Sequence, residues 1–289
     1  MNWAIRSPDH LGDGIMAIPS ISALSTLGIE HLVGPSWCKE LYPSFKLIPP
    51  DRYWSTPGEQ QQNIILFKPS FGSAWRSRRH KRRVGLTGNG RKWLLTDPIV
   101  PGNEHRISRY NRIAMHFGLE PDSKPEFSFS SRPHPHLNDT DVLLIVGTKS
   151  PNTVRWKGFR ELANLLGERA VIGGGPGDEL AVAEIGMNHR KLPTNLSIDA
   201  FASASAHVSM VVGTDSGLTH LATASRHWAG RDSNSVTVIY GSTDPERTGP
   251  KAHGIWSKRP SCWPCYAKSC KLDLACMRLS PQQVLERLS

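Results

Sequence analysis

Short apolar runs of the buried-strand kind alternate along this chain with stretches whose apolar residues recur at helical spacing. Trp3–Arg6 opens as a strand, Ser7–Asp13 is turn-rich, and Ile15–Leu27 has a helical pattern with Pro19 early in it. His31–Val33 and Asn63–Phe67 (NIILF) follow as strands, and Arg106–Leu119 predicts a helix with Ile107, Tyr110, Ile113, Ala114 and Phe117 on one side. Ser131–Asp139 (SRPHPHLND) is rich in Pro and polar residues, has no period, and marks a linker. The alternation then restarts. Val142–Val146, Ala170–Gly173, Val208–Val212 and Val236–Tyr240 read as strands, and Phe159–Leu166, Glu179–Ile185 and the segment after Asp215 as helices. This order predicts an α/β protein with parallel sheets covered on both faces. Two such halves predict two Rossmann-like domains, residues 1–132 and 140–289, facing a central cleft. Ligands in such folds bind outside the carboxyl ends of the strands.

Composition narrows the picture only a little. A chain of 289 residues suits two domains, and 38% hydrophobic with 21% charged residues excludes a disordered protein. No apolar run approaches the roughly 18 residues of a membrane span, and the opening MNWAIRSPDH lacks the pattern of a secretory leader. The expectation is a cytoplasmic protein with no transmembrane segment, free to lie peripherally at the inner face of the inner membrane. A net charge of +10 predicts an anionic partner: nucleic acid, acidic lipid or phosphorylated sugar. Part of the excess sits in Arg76–Arg83 (RSRRHKRR), which is either an anion-binding edge or a solvated surface.

Candidate chemistry collects at strand-to-helix junctions. In LGDGIMAIPS, glycines flank Asp13, whose carboxylate is either a general base or a helix N-cap. In GTDSGLTHLATA, a buried strand runs into Thr214, Asp215, Ser216 and Gly217 and then a helix carrying Thr219 and His220. Backbone N–H groups at such a helix start make a diphosphate site, although a plain helix cap with a core histidine has the same letters. IGGGPGDE lacks the full dinucleotide spacing, but Asp178 or Glu179 there is placed to hold a ribose; a plain turn is the other reading. Thr148, Lys149, Arg155 and Lys157 follow a strand and precede a helix, where cations can offset a leaving diphosphate. The lone DxD, Asp139-Thr140-Asp141, reads as a turn and strand cap and not as a Mg²⁺ site. Cys262, Cys265, Cys270 and Cys276 crowd near the C-terminus and predict a structural role, by packing or by a bound zinc, although their last two spacings do not fit a paired knuckle.

Taken in order, LGDGIMAIPSISAL, VRWKGFRELANLL, GGGPGDELAVAEI, TDSGLTHLATA, YGSTDPERTGP and the closing CWPCYAKSCKLDLACMRLSPQQVLERL resemble the ADP-heptose:lipopolysaccharide heptosyltransferases, glycosyltransferase family 9. KPSFGSAWRSRRHKRRVGL and RKWLLTD look most like the branch that adds the second inner-core heptose. The resemblance implies a GT-B fold and inverting, metal-independent transfer with no cofactor. The implied donor is ADP-L-glycero-D-manno-heptose and the implied acceptor is a lipid A core at the membrane surface, with no nucleic acid. It matches Asp13 to the catalytic carboxylate and Asp215, Ser216 and Gly217 to the donor loop, and it leaves Asp178 and Glu179 open for the ribose. Arg78, Arg79 and Arg82 are the expected acceptor contacts.

Three departures bear on substrate identity. Val154 stands where relatives have a diphosphate-contacting lysine, the chain is short between Pro50 and Asn63, and SRHWAGRDSN (Ser225–Asn234) replaces a tight helix-to-strand loop. Three rivals follow: a related inverting transferase using another nucleotide sugar for a surface glycan, a non-catalytic basic nucleic-acid-binding protein, and an epimerase.

Overall fold

The computed structural model describes residues 2–56, 58, 60–121, 127–130, 132, 134–147, 155–257, 259–267 and 269–288. The chain divides into two compact units, Met1–Phe127 and Ser128–Ser289, so the division falls just ahead of the Pro-rich stretch at 131–139. That stretch belongs to the second unit, where Ser130 bonds Asp199 and Phe129 packs on Trp228.

In the first unit the elements run β1 (Trp3–Arg6), α1 (Leu11–Ser25), β2 (His31–Val33), α2 (Cys38–Leu41), β3 (Lys46–Ile48), α3 (Pro50–Ser55), β4 (Asn63–Leu66), α4 (Phe71–Arg76), β5 (Arg82–Leu86), β6 (Asp97–Ile99) and α5 (Arg106–His116). All six strands are parallel, in the order β3-β2-β1-β4-β5-β6. The chain therefore winds outward from β1 to β3, returns, and winds the other way from β4 to β6. Its switch point lies between β1 and β4, where the loops at the carboxyl ends diverge and leave a crevice. The central strands are buried along their length, which is why WAIR and NIIL read as near-continuous apolar runs. On one face of the sheet Ala4, Ile64 and Leu66 pack with Tyr53, Ala74 and Leu94 from the crossovers. Arg91 is wholly buried there, donating to the Leu86 and Lys68 carbonyls, and burial lowers its pKa to about 10.

The second unit repeats the plan with β7 (Val142–Ile145), α6 (Phe159–Leu166), β8 (Ala170–Gly173), α7 (Glu179–Ile185), β9 (Arg190–Lys191), α8 (Ile198–His207), β10 (Met210–Thr214), α9 (Gly217–Trp228), β11 (Val236–Ile239), α10 (Pro245–Thr248), β12 (His253–Ile255) and α11 (Pro281–Leu285). Its parallel order is β12-β11-β10-β7-β8-β9, with the switch point between β7 and β10. Asp141 ends the linker turn, accepts from the Asn138 N–H and pairs with Arg190, as a strand cap does. The C-terminal α11 closes the core: Val284, Met277 and Cys276 join Trp156, Phe159 and Leu162 in one apolar cluster.

One departure noted in the sequence changes character. Ser225–Trp228 is not loop but the last turn of α9, so only the residues after it connect to β11. Arg226 is buried in that turn and donates to the carbonyls of Ser205, Val208 and Ser209 and to Ser235 Oγ. Those groups end α8, precede β10 and precede β11, so a single cation ties three elements. No described helix is long and apolar enough to cross a membrane.

Candidate active site

Each unit presents polar side chains at its own switch point. In the first, β1 ends at Arg6 and α1 begins at Leu11 with His10 as its N-cap, whose side chain makes no capping bond. Asp13 is therefore the third helical residue, not the cap, and its carboxylate lies in the first turn, where the helix dipole favours negative charge. Gly12 and Gly14 are helical as well, so they do not serve as turn formers. Gly14 has another function: a Cβ there would stand 2.7 Å from Cζ3 of Trp37. Its carbonyl also accepts from the buried Tyr42 hydroxyl at 2.6 Å.

Asp13 is held from α5. Arg106 and Tyr110 lie one turn apart on that helix, and both reach Asp13 Oδ1, Arg106 Nη1 at 3.2 Å and the Tyr110 hydroxyl at 3.3 Å. Ser20 donates to the Tyr110 carbonyl at 2.8 Å, which fixes α5 against α1. Burial, and then the Asp13 charge, pushes the Tyr110 hydroxyl far above its ordinary range, so it stays a proton donor to the carboxylate. The Asp13 side chain is 23% exposed, enough to meet a substrate while keeping both partners. Such a carboxylate, oriented and reachable, can accept a proton from a hydroxyl.

Sequence reasoning missed a second carboxylate at this switch point. Asp9, on the loop after β1, is paired with both Arg6 and Lys68, the latter just after β4. Burial works to raise its pKa, but the two cations outweigh it and hold Asp9 below the usual carboxylate range. Asp9 thus ties together the ends of the two strands whose loops diverge, whereas His10 is exposed.

In the second unit the loop after β10 carries the donor candidates. Ser216 caps α9, accepting from the Thr219 N–H. The N–H groups of the first helical turn lack intrahelical acceptors, a form suited to an anion. Thr219 is buried and donates its hydroxyl to the Thr214 carbonyl at 2.7 Å, so it shapes the loop from inside. His220 is also buried, with Nε2 3.5 Å from Asp215 Oδ1. Asp215, Ser216 and Gly217 remain half-buried at the loop surface.

Two buried hydroxyls near this loop, Thr214 Oγ1 and Thr243 Oγ1, have no hydrogen-bond partner among the described residues. Thr214 ends β10, and Thr243 follows the adjacent strand β11. Tyr240 and the Gly241–Asp244 turn join them, with the Tyr240 hydroxyl pushed up by burial and by the Asp215 charge. The cysteine-rich segment is laid against this turn: Trp263 Nε1 donates to the Gly241 carbonyl, and the N–H groups of Cys265 and Tyr266 reach the Ser242 carbonyl. Residues 240–244 entered the sequence argument only as part of an ordered motif. Their spatial role was hidden because β11 and the segment at 262–266 meet only in the folded unit.

Asp178 and Glu179 separate clearly. Asp178 is buried and accepts from the Gly175 N–H at 2.9 Å, and a Cβ on Gly147 would run into its carboxylate. It organises the glycine loop. Glu179 is exposed, its carboxyl held below the usual range first by the Gly177 N–H, and it also accepts from the Thr194 hydroxyl. Arg155 is half-buried and Lys157 exposed at the start of α6; Thr148, Lys149 and Val154 lie outside the described residues.

Arg78 and Arg79 are exposed, with the Arg78 guanidinium 4.7 Å from the Trp75 ring centre. Arg82 differs, since Asp97 already pairs with it at 2.5 Å. Burial, and then the neighbouring Cys270, Cys265 and Cys262, push the Cys276 thiol above its ordinary range. Cys276 is buried in the core while Cys262, Cys265 and Cys270 are exposed, and no group of three or more His, Cys, Asp or Glu among the described residues is set to hold a metal.

The sequence profile of glycosyltransferase family 9 (heptosyltransferase) matches residues 58–275. The chain belongs to that family. The matched span holds the Asp178, Glu179 and Asp215 loops, and Asp13 precedes it. Among solved structures, the family-9 chain is similar to E. coli ADP-heptose lps heptosyltransferase II, with 21% identity, 100% of this chain and 97% of that one covered, and a TM-score of 0.76. It is similar to E. coli heptosyltransferase WaaC with ADP-2-deoxy-2-fluoro heptose at 17% identity, 99% and 98% coverage and a TM-score of 0.71. It is also similar to the dodecameric iron-containing heptosyltransferase TibC in complex with ADP-D-beta-D-heptose at 14% identity, 99% and 75% coverage and a TM-score of 0.65; the same protein is described elsewhere as from enterotoxigenic E. coli. These likenesses show the two-sheet GT-B fold. A comparison with curated proteins gives no match. The family-9 chain is a heptosyltransferase-like glycosyltransferase.

Proposed function

We propose that this glycosyltransferase moves a heptose from ADP-L-glycero-D-manno-heptose to the inner core of lipopolysaccharide, in the cytoplasm, with inversion and without a metal. The observation that carries the reading is Asp13, held by Tyr110 and Arg106 in the first turn of α1 yet open to solvent. A sugar hydroxyl is a weak nucleophile at neutral pH. Asp13 takes its proton as the oxygen forms a bond to the anomeric carbon, and the bond from that carbon to the β-phosphate oxygen breaks with its electron pair leaving on ADP. A single displacement of this kind inverts the centre.

The second unit receives the leaving group. The N-terminus of α9 at Ser216 and Gly217 offers N–H groups to the diphosphate, and the unpartnered Thr214 and Thr243 hydroxyls offer further hydrogen bonds. Arg155, with Lys149 and Lys157, offsets its charge, in the role a metal fills in other transferases. Glu179 is the better ribose contact, since the Asp178 carboxylate is already engaged by its own loop. Arg78 and Arg79 contact acceptor phosphates. Arg82 contributes less because Asp97 holds it. The donor assignment is supported by the ADP-heptose compounds in the names of the WaaC and TibC structures.

The test is incubation with ADP-heptose, or with UDP- and GDP-sugars, and a truncated Kdo-bearing lipid A acceptor, the product being weighed by mass spectrometry. A gain of one heptose from the ADP donor alone is expected. Transfer from another nucleotide sugar, with none from ADP-heptose, would replace this reading with the surface-glycan rival.

A further inference from the structure

Almost all of the chain's excess positive charge lies in one stretch of the first unit. Residues 60–96 hold nine Lys and Arg and no Asp or Glu, against a net charge of +10 for the whole chain. Some of these cations are used internally: Arg91 is buried on backbone carbonyls, Arg83 donates to Leu94 and His80, and Arg82 pairs with Asp97. Arg76, Arg78, Arg79, Lys81 and Lys92 are exposed.

The same stretch exposes large aromatic rings that a water-facing surface does not need. Phe71 is 42% exposed, Trp75 45% and Trp93 67%. They form one cluster although they come from two crossovers. Phe71 and Trp75 stack with centroids 6.3 Å apart on α4, and Trp93, on the turn between β5 and β6, stands 6.1 Å from Phe71 and 6.5 Å from Trp75. Arg78 lies over the outer Trp75 ring. Beneath the trio, Ala74 and Leu94 are buried in the core, so the two crossovers are anchored from below while their aromatic residues face out.

We propose that Phe71, Trp75 and Trp93, framed by Arg76, Arg78 and Lys92, seat this unit on the surface of an anionic phospholipid bilayer. Tryptophan suits the boundary between headgroups and acyl chains, having an apolar ring and a polar N–H. Each Lys or Arg near an anionic surface strengthens binding by roughly fivefold at physiological salt. Neither signal alone holds a protein on a membrane, and a reversible anchor combines them. The absence of any carboxylate through residues 60–96 removes the repulsion that an acidic neighbour would add. A nucleic acid would also meet the positive charge, but the rings cover one another edge to face and face to face within a compact cluster. They are not spaced along a strand-tracking groove. This proposal does not depend on the transferase reading, because binding is measured without donor or acceptor.

Cosedimentation of the full chain with vesicles tests it, using phosphatidylcholine alone and phosphatidylcholine with about one third phosphatidylglycerol. Wild type should pellet with the anionic vesicles and not with the neutral ones, and raised salt should weaken the binding. The variant carrying Phe71→Ala, Trp75→Ala and Trp93→Ala should bind at least about tenfold more weakly, and so should Arg76→Gln with Lys81→Gln and Lys92→Gln. All six side chains are exposed, so melting temperatures should match wild type, and Trp93→Ala alone gives a milder version with the same sign. Turnover of the aromatic variant on an acceptor lacking acyl chains should be unchanged. Wild type failing to bind anionic vesicles would overturn the proposal, as would an aromatic variant that binds them like wild type. Full vesicle binding by that variant with lost turnover on the acyl-free acceptor would show instead that the rings stack on sugar. An oligonucleotide that binds more tightly than the anionic vesicles would move the patch to nucleic acid and likewise overturn it.

Discussion

At the scale of single residues, Asp13 is defined by what lies far away in sequence. Its partners Arg106 and Tyr110 come from 93 and 97 positions further along the chain. The sequence could nominate Asp13 from its flanking glycines, but not choose between base and helix cap. The fold removes the second option, because His10 occupies the cap position. The same holds at Asp178 and Glu179, adjacent acids that look alike on paper. Burial and a bond to Gly175 make one a loop former and leave the other in solvent. If the Tyr110 hydroxyl orients the base, Tyr110→Phe removes one of two fixed hydrogen bonds and leaves the buried ring in place. We expect kcat to fall by about tenfold with the acceptor KM little changed, since a charged hydrogen bond contributes on the order of 1.5 kcal/mol or more. Steady-state kinetics of the purified variant would show it. An unaltered kcat would mean that Arg106 and the helix dipole suffice.

At the scale of elements, the apolar pattern is a good guide wherever a segment has enough buried positions to show a run or a period. Phe159–Leu166, Ala170–Gly173 and Glu179–Ile185 form where the pattern predicts them. The unpredicted strands are mostly at or near the sheet edges: β3, β6, β9 and β12 have three residues or fewer and partly exposed side chains, so they carry too little alternation to read. β5 was hidden differently, by charge. Its first two residues, Arg82 and Arg83, belong to the basic run, and only Val84–Leu86 enter the core. The last turn of α9 was hidden by Arg226, a charged letter that reads as loop in sequence and sits fully buried in the fold. Burial lowers its pKa to about 10, still leaving it charged at neutral pH. Arg226→Met fills similar space and leaves the carbonyls of Ser205, Val208 and Ser209 without their donor. Unfolding stability should drop by about 3 kcal/mol. A denaturant midpoint equal to wild type would show that these carbonyls find other donors.

At the scale of the whole molecule, one winding plan is repeated in two units. Each sheet reverses its strand order beside its first strand, and each reversal carries the polar loop that chemistry needs: Ser7–Asp13 after β1 and Thr214–Gly217 after β10. The doubled α/β plan was legible because both halves repeat the same alternation of strand and helix. Charge was legible as a total and as the run Arg76–Arg83, and its concentration through residues 60–96 gains meaning once those residues are seen as surface around exposed rings. In the proposed reaction Asp13 deprotonates the acceptor during heptose transfer from ADP-heptose. Its most direct test is the initial rate of that transfer to a Kdo-bearing lipid A core, compared between wild type and Asp13→Asn at equal ADP affinity. Asparagine preserves shape and can keep hydrogen bonds to Arg106 and Tyr110, but it cannot take the proton. The account predicts a loss on the order of 10²–10⁴ in kcat. Turnover by Asp13→Asn within a few-fold of wild type would contradict it.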